Sequence, residues 1–195
     1  MFKRLTLSAT IGALFLVSAC AEAPKTEEAP PPAADAAPEK VEGPYYELTK
    51  DEVTSHADWT SMNLKFKGAK IGDKTTAVEK SLGKADKTEP IGADHYRTIF
   101  DKSSFAVYTH KMTGELQKLE IFNRMSDQIA DANLKKLLSS GDLDFMRKTF
   151  GMEEKSEMNF DTTAMEYFYD GKGFRFAQYN LGGVKVNSLV FLKIK

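Results

Sequence analysis

Met165-Glu166-Tyr167-Phe168-Tyr169-Asp170-Gly171-Lys172-Gly173-Phe174-Arg175-Phe176 decides the architecture of this 195-residue chain. Two aromatic runs flank a short segment with two glycines. That is the pattern of a β-hairpin, because aromatic residues suit a pleated, half-buried surface and glycine takes positive φ at little steric cost. Side chains alternate along a strand, so Tyr167 and Tyr169 belong to one face and Phe168 to the other. By the same parity Phe174 and Phe176 oppose Arg175 and Tyr179.

The strands predicted here are Met165 to Tyr169, Phe174 to Tyr179 and Val184 to Leu192, the last two joined by the Leu181-Gly182-Gly183 turn. Before them, Asp142 to Phe150 reads as a helix that buries Leu143, Met146 and Phe150 and stops at Gly151. Ser126 to Leu138 reads as another, with Ser126 as N-cap and Ile129, Leu134, Leu137 and Leu138 on its apolar stripe.

Further upstream the plan recurs. Leu48 to Trp59 carries a Thr49…Glu52 capping box for a short helix, and Asn63 to Phe66 suits extended chain. Lys74 to Leu82 is a second helix, with Ala77, Val78 and Leu82 on one face and Gly83 as its stop. Pro90 and Gly92 mark a loop. His95 to Phe100, Phe105 to Thr109 and Leu116 to Phe122 then follow with the spacing of an antiparallel meander. An offset of 69 positions lays Gly72-Asp73 on Gly141-Asp142, Asp101 on Asp170, Phe105 on Phe174, Gly114 on Gly183 and Phe122 on Phe191. Turn residues and strand aromatics recurring in one order are the mark of a repeated supersecondary unit. The expected fold is therefore α+β: two tandem helix-helix-three-strand units, residues 45–125 and 126–195, forming one curved antiparallel sheet with helices on one face.

Gly72, Val78, Leu82 and Gly83, followed by the meander, are similar to the SmpA/OmlA-type small lipoproteins of outer-membrane barrel assembly. The tandem arrangement resembles the fold of the β-lactamase inhibitor protein. The resemblance departs from the lipoprotein family at Ala85, where that family usually has proline, and in its second unit, which that family lacks. It implies a binding module without catalysis.

At the other end of the chain, Lys3 and Arg4 precede an apolar run, Leu5 to Val17, that is too short to span a bilayer. Val17-Ser18-Ala19-Cys20 resembles the lipobox of bacterial lipoproteins. That resemblance implies cleavage of residues 1–19 as a signal peptide and acylation of Cys20, with Ala21 after the cysteine pointing to the outer membrane. Multiple acyl chains make such an anchor stable. Cys20 is the only cysteine, which excludes an intramolecular disulfide and a cysteine nucleophile in the folded domain. Residues 20–44 hold six of the seven prolines among alanines and acids, a composition that cannot offset the entropy of ordering and so reads as a disordered tether.

The tether takes six acids and two lysines, which leaves the domain from Tyr45 with 23 basic and 22 acidic residues. Such a balance gives no electrostatic footprint for nucleic acid. Lys65, Lys67, Lys70 and Lys74 read as a solvated face.

His56, His95 and His110 have no metal-ligand spacing, and no GxSxG or phosphate loop accompanies them, so neither catalytic residues, a metal nor a cofactor is expected. His95 and His110 are placed to approach each other across neighbouring strands. Tyrosine and arginine on an open sheet face are the residue types that dominate protein interfaces, which makes Tyr108, Tyr167, Tyr169, Arg175 and Tyr179 the candidate interaction surface. The function expected is that of a periplasm-facing outer-membrane lipoprotein binding another envelope protein as an assembly accessory. Inhibition of a hydrolase, and binding of a small ligand or cell wall in the cup of the sheet, are the alternatives.

Overall fold

Antiparallel β-structure dominates the computed structural model, which describes residues 43–160 and 162–194, all within the unit Lys40–Lys195. Cys20 and the segments around it lie outside the described residues. β1 (Tyr46–Glu47), β2 (Leu64–Phe66) and β3 (Ala69–Lys70) make a small sheet in which β1 runs parallel to β2. α1 (Thr75–Leu82) leads into β4 (Lys87–Ile91), β5 (His95–Phe100), β6 (Phe105–His110) and β7 (Leu116–Phe122). α2 (Ala132–Ser140) and α3 (Leu143–Phe150) precede β8 (Lys155–Asn159), β9 (Ala164–Tyr169), β10 (Phe174–Leu181) and β11 (Val184–Leu192). The last eight strands form one sheet of order β4-β5-β6-β7-β11-β10-β9-β8, two four-stranded meanders paired through their final strands.

This corrects the expected architecture of two helix-helix-three-strand units. The described residues hold eleven strands in two sheets and only three short α-helices, of which a single one precedes the first meander. Where a helix was expected at Leu48 to Trp59, the chain makes only a 3-10 turn at Val53–Ser55. Leu48 and Trp59 are buried in the core, and Leu48 hydrogen-bonds through its backbone to Lys65 and Ala130 instead of within a helix. Each meander has a fourth strand at the outer edge. β4 takes in Pro90 and β8 is the polar run Lys-Ser-Glu-Met-Asn, so neither shows strand periodicity. Proline and charge are tolerated because an edge strand leaves one row of backbone groups to solvent.

Ser126 does not cap a helix. It lies in a 3-10 segment, Asn123–Gln128, and α2 starts later, where the buried carboxylate of Asp131 accepts from the backbone N–H of Asn133 and Leu134 at 3.0 and 2.9 Å and also from Thr54. Three other end signals hold, whereas Ala77 is exposed and Ile129, though buried, precedes α2. Asp142 caps α3, and Gly83 and Gly151 end α1 and α3. Gly173 closes the β9–β10 turn at φ 61°, where an added Cβ would stand 2.7 Å from the carbonyl oxygen of Leu192.

One face of the large sheet is dry. Phe105, Tyr167, Tyr169, Phe174, Phe176 and Phe191 are buried there with Val78 of α1, Leu134, Leu137 and Leu138 of α2 and Met146 of α3. Phe174 sits at its centre, within 6 Å of the rings of Trp59, Phe150, Tyr169 and Phe191. The opposite face carries Ala106, Tyr108, Lys118, Glu120, Arg175, Tyr179 and Val190, the other parity of the same strands.

Candidate functional site

Glu120 is the unexpected residue of the open face. Its position in β7 places it in register with Ala106 of β6 and Val190 of β11, and both neighbours are small or apolar enough to wall it in. It is 1% exposed. Tyr108 donates its hydroxyl to Oε2 at 2.7 Å, Ser188 donates to Oε1 at 3.1 Å, and Tyr179 makes a short hydrogen bond to the same oxygen. The ammonium of Lys118 stands 3.4 Å from Oε2 and 4.1 Å from the Tyr108 ring centre. Burial by itself would raise the Glu120 pKa, but Lys118 and the three hydroxyls outweigh it and hold the carboxyl below its usual range. Burial and the adjoining Glu120 charge push both tyrosine hydroxyls above the ordinary phenol range.

The result is a fully satisfied polar floor. Around it the sheet forms a trough of about 690 Å³, within the ~300–1,000 Å³ range of small-molecule sites. Its two walls differ. Arg97 of β5, Lys102 in the β5–β6 turn, Lys118 of β7 and Arg124 just beyond β7 supply its cations, all from the first meander and its exit. Phe122 faces Tyr179, Leu181 and Val186 across the β10–β11 side, which contributes mostly apolar surface. Asn159 and Glu166 close the far end, where Glu166 accepts from Asn159 at 2.9 Å and pairs with Arg175 at 3.3 Å.

Strain accompanies the basic wall. Asp101, Lys102 and Ser103 are successive non-glycine residues at φ 48°, 52° and 67°, a left-handed run that costs roughly 1–2 kcal/mol per residue. The turn is held from both sides, by the carboxylate of Asp86 accepting from the Lys102 backbone N–H at 2.6 Å and by Arg124 donating to the Lys102 carbonyl at 3.0 Å. A register shift between Tyr108 and Thr109, opposite the extra residue Gln117, bulges the sheet beside the floor.

The structure separates the expected surface into two groups. Tyr108, Arg175 and Tyr179 lie on the open face, half-buried; Arg175 stacks on Phe168 at 4.2 Å. Tyr167 and Tyr169, 7% and 5% exposed, lie under the helices in the core and do not belong to that surface. Tyr169 donates to the carbonyl of Gly151 at 2.9 Å, and burial followed by the charge of Glu153 pushes its pKa up to about 12. Their parity was legible; that the helices cover their side of the sheet was not. Glu120 itself left no signal in the sequence, being one acid in a strand of ordinary composition.

His95 and His110 do meet across β5 and β6, with ring centres 5.6 Å apart. The Nδ1 of His110 accepts from the backbone N–H of Met112 and Thr113 at 3.3 and 3.2 Å, so the ring serves a turn. Among the described residues no group of three or more His, Cys, Asp or Glu side chains is placed to hold a metal ion. Among the same residues no helix is long and apolar enough to cross a membrane.

No protein-family model matches the chain, and no curated protein matches it. Among solved structures, the crystal structure of a DUF4309 family protein (YjgB) from Bacillus subtilis subsp. subtilis str. 168 is similar, with a TM-score of 0.41 and 11% identity over 62% of this chain and 79% of that one. A likeness at that level carries no argument about fold or function. Nothing in these comparisons supports a lipoprotein or a SmpA/OmlA-like domain.

Proposed function

We propose that this chain is a non-catalytic binding module of the cell envelope that holds its ligand in the trough across the open face of the large sheet. The observation that carries the reading is the trough itself, about 690 Å³ over a floor whose hydrogen bonds are already made. A satisfied floor orients a ligand without having to rearrange, which lowers the cost of binding. Chemistry is disfavoured by the direction of the pKa shifts. Glu120 is moved down and Tyr108 and Tyr179 up, away from neutrality, whereas a general acid or base works best near it.

Val17-Ser18-Ala19-Cys20, Ala21 and the charged, apolar start support attachment to the outer membrane through an acylated Cys20. Metabolic labelling with a clickable palmitate should mark the wild-type chain and fail to mark Cys20→Ser; equal labelling of both removes the anchor.

The trough is tested by native mass spectrometry of the full chain recovered from its host envelope. A small molecule should be retained at one per chain and be absent from Val186→Trp, whose indole obstructs the apolar side of the trough; an empty wild-type protein that also shows no ligand in intact-cell photocrosslinking from position 181 sinks the reading. A protein partner in the envelope is the second reading, supported by Phe160, Leu181 and Val184. These residues, 87%, 55% and 63% exposed, cluster at the hairpin tips beside the trough mouth. Crosslinking of one envelope protein from position 160, with no retained small molecule, would favour it.

A further inference from the structure

Resting on the trough reading, we infer that the ligand class is a single-chain amphiphile with an anionic head, seated with its head against Lys102 and Arg124 and its chain along Phe122, Tyr179, Leu181 and Val186. The charge balance inside the trough carries the inference. Its two acids are already answered: Glu120 is 1% exposed and accepts from three hydroxyls beside Lys118, and Glu166 is engaged by Arg175 and Asn159. Its cations other than Lys118, which pairs with Glu120, are not. Among the described residues Lys102 and Arg124 form no ion pair, Arg124 spending one N–H on the Lys102 carbonyl. Arg97 reaches Glu89 only at 3.6 Å, and its buried Nε has no hydrogen-bond partner.

A buried donor without a partner is costly, and a guanidinium is suited to carboxylate or phosphate. A cationic ligand would meet neutralised acids and uncompensated like charge. Of the acids beside the head position, Asp86 is occupied by the Lys102 backbone N–H, and Asp101, next to Lys102 in the turn, is exposed to solvent. The turn, held by Asp86 and Arg124, presents Lys102 and Ser103 at the rim of the trough. Opposite, the apolar wall is open to solvent at Leu181 and half-covered at Val186, ready to desolvate an alkyl chain.

The test uses the full chain carrying Cys20→Ser and calorimetric titration with monomeric probes below their aggregation concentrations. Dodecyl phosphate and dodecanoate should bind at one per chain, at least ten-fold tighter than dodecanol or dodecyltrimethylammonium and far tighter than inorganic phosphate. Shortening the chain should weaken binding roughly two- to four-fold per methylene removed. Lys102→Ser combined with Arg124→Ser, at two exposed positions, should cost dodecyl phosphate about ten-fold and dodecanol nothing. Equal affinity for neutral or cationic probes, equal affinity for inorganic phosphate, indifference to the double variant, or binding only to phosphatidylglycerol vesicles would each overturn the inference. If the molecule retained from the envelope is lost in Val186→Trp yet is not displaced by dodecyl phosphate, the trough reading stands and the anionic amphiphile falls.

Discussion

The two faces of the large sheet are built from the same strands and do opposite things with the same residue types. On the covered face Tyr167 and Tyr169 are bulk apolar groups packed against Phe174 and Phe176 beneath the helices. On the open face Tyr108 and Tyr179 are donors whose rings and hydroxyls enclose a carboxylate. One position along a strand separates the two roles, since pleating sends successive side chains to opposite sides. A tyrosine therefore says little about function until the face that receives the helices is known.

The contrast breaks most visibly at neighbouring residues of β10. Phe174→Ala should cost about 4 kcal/mol in urea unfolding, through lost burial and the cavity left among four rings. The adjacent Arg175→Ala, losing a partly exposed ion pair and a stacked ring, should cost about 1 kcal/mol. Similar losses at both positions would mean that the open face is as dry as the covered one.

Glu120 sharpens the other side. Glu120→Ala strands three hydroxyls and Lys118 and should cost about 3 kcal/mol, of which Glu120→Gln should recover more than half. Because the folded pKa of Glu120 is depressed, its charge stabilises above the ordinary carboxylate pKa near ~4.3, and that contribution is lost as pH falls through the folded value. The stability gap between wild type and Glu120→Gln should thus be full at pH 7 and shrink below about pH 4; a gap independent of pH would show that the carboxylate is not held ionised.

The hydroxyls themselves give a finer comparison. Tyr179→Phe should cost about 2 kcal/mol, since it removes a bond to a charged group, and Tyr169→Phe about 1 kcal/mol for its bond to Gly151. Tyr167→Phe should cost under about 0.5 kcal/mol, its hydroxyl having no hydrogen-bond partner among the described residues. The smallest effect carries the opposite sign. Ser103→Gly should stabilise the domain by about 1 kcal/mol by relieving a left-handed backbone, while leaving the trough walls in place.

Much of the local structure was legible. The bounds His95–Phe100 and Leu116–Phe122 follow from aromatic and branched residues between turn signals, and the caps of α1 and α3 follow from Gly83, Asp142 and Gly151. What failed were elements whose form depends on distant partners. β4 and β8 are strands because a neighbour offers them a ladder, and Leu48 to Trp59 is a series of turns with one 3-10 segment instead of a helix, Leu48 pairing with Lys65 and Ala130. α2 begins at Asp131 because that carboxylate also binds Thr54, far off in the chain.

Of the candidate site, residue types put Tyr108, Tyr167, Tyr169, Arg175 and Tyr179 on one surface; parity separated Arg175 and Tyr179 from Phe174 and Phe176 and grouped Tyr167 with Tyr169, without saying that this last pair would be buried. The amino-acid order by itself determined where the chain pleats, where it turns and which side chains share a side, because these depend on contacts within a few residues. Only the tertiary structure decided that β7 pairs with β11, that the helices settle on the Phe174 side, and that Glu120 is walled in with its hydroxyls, because each of these is a balance of burial and hydrogen bonding among residues far apart in sequence.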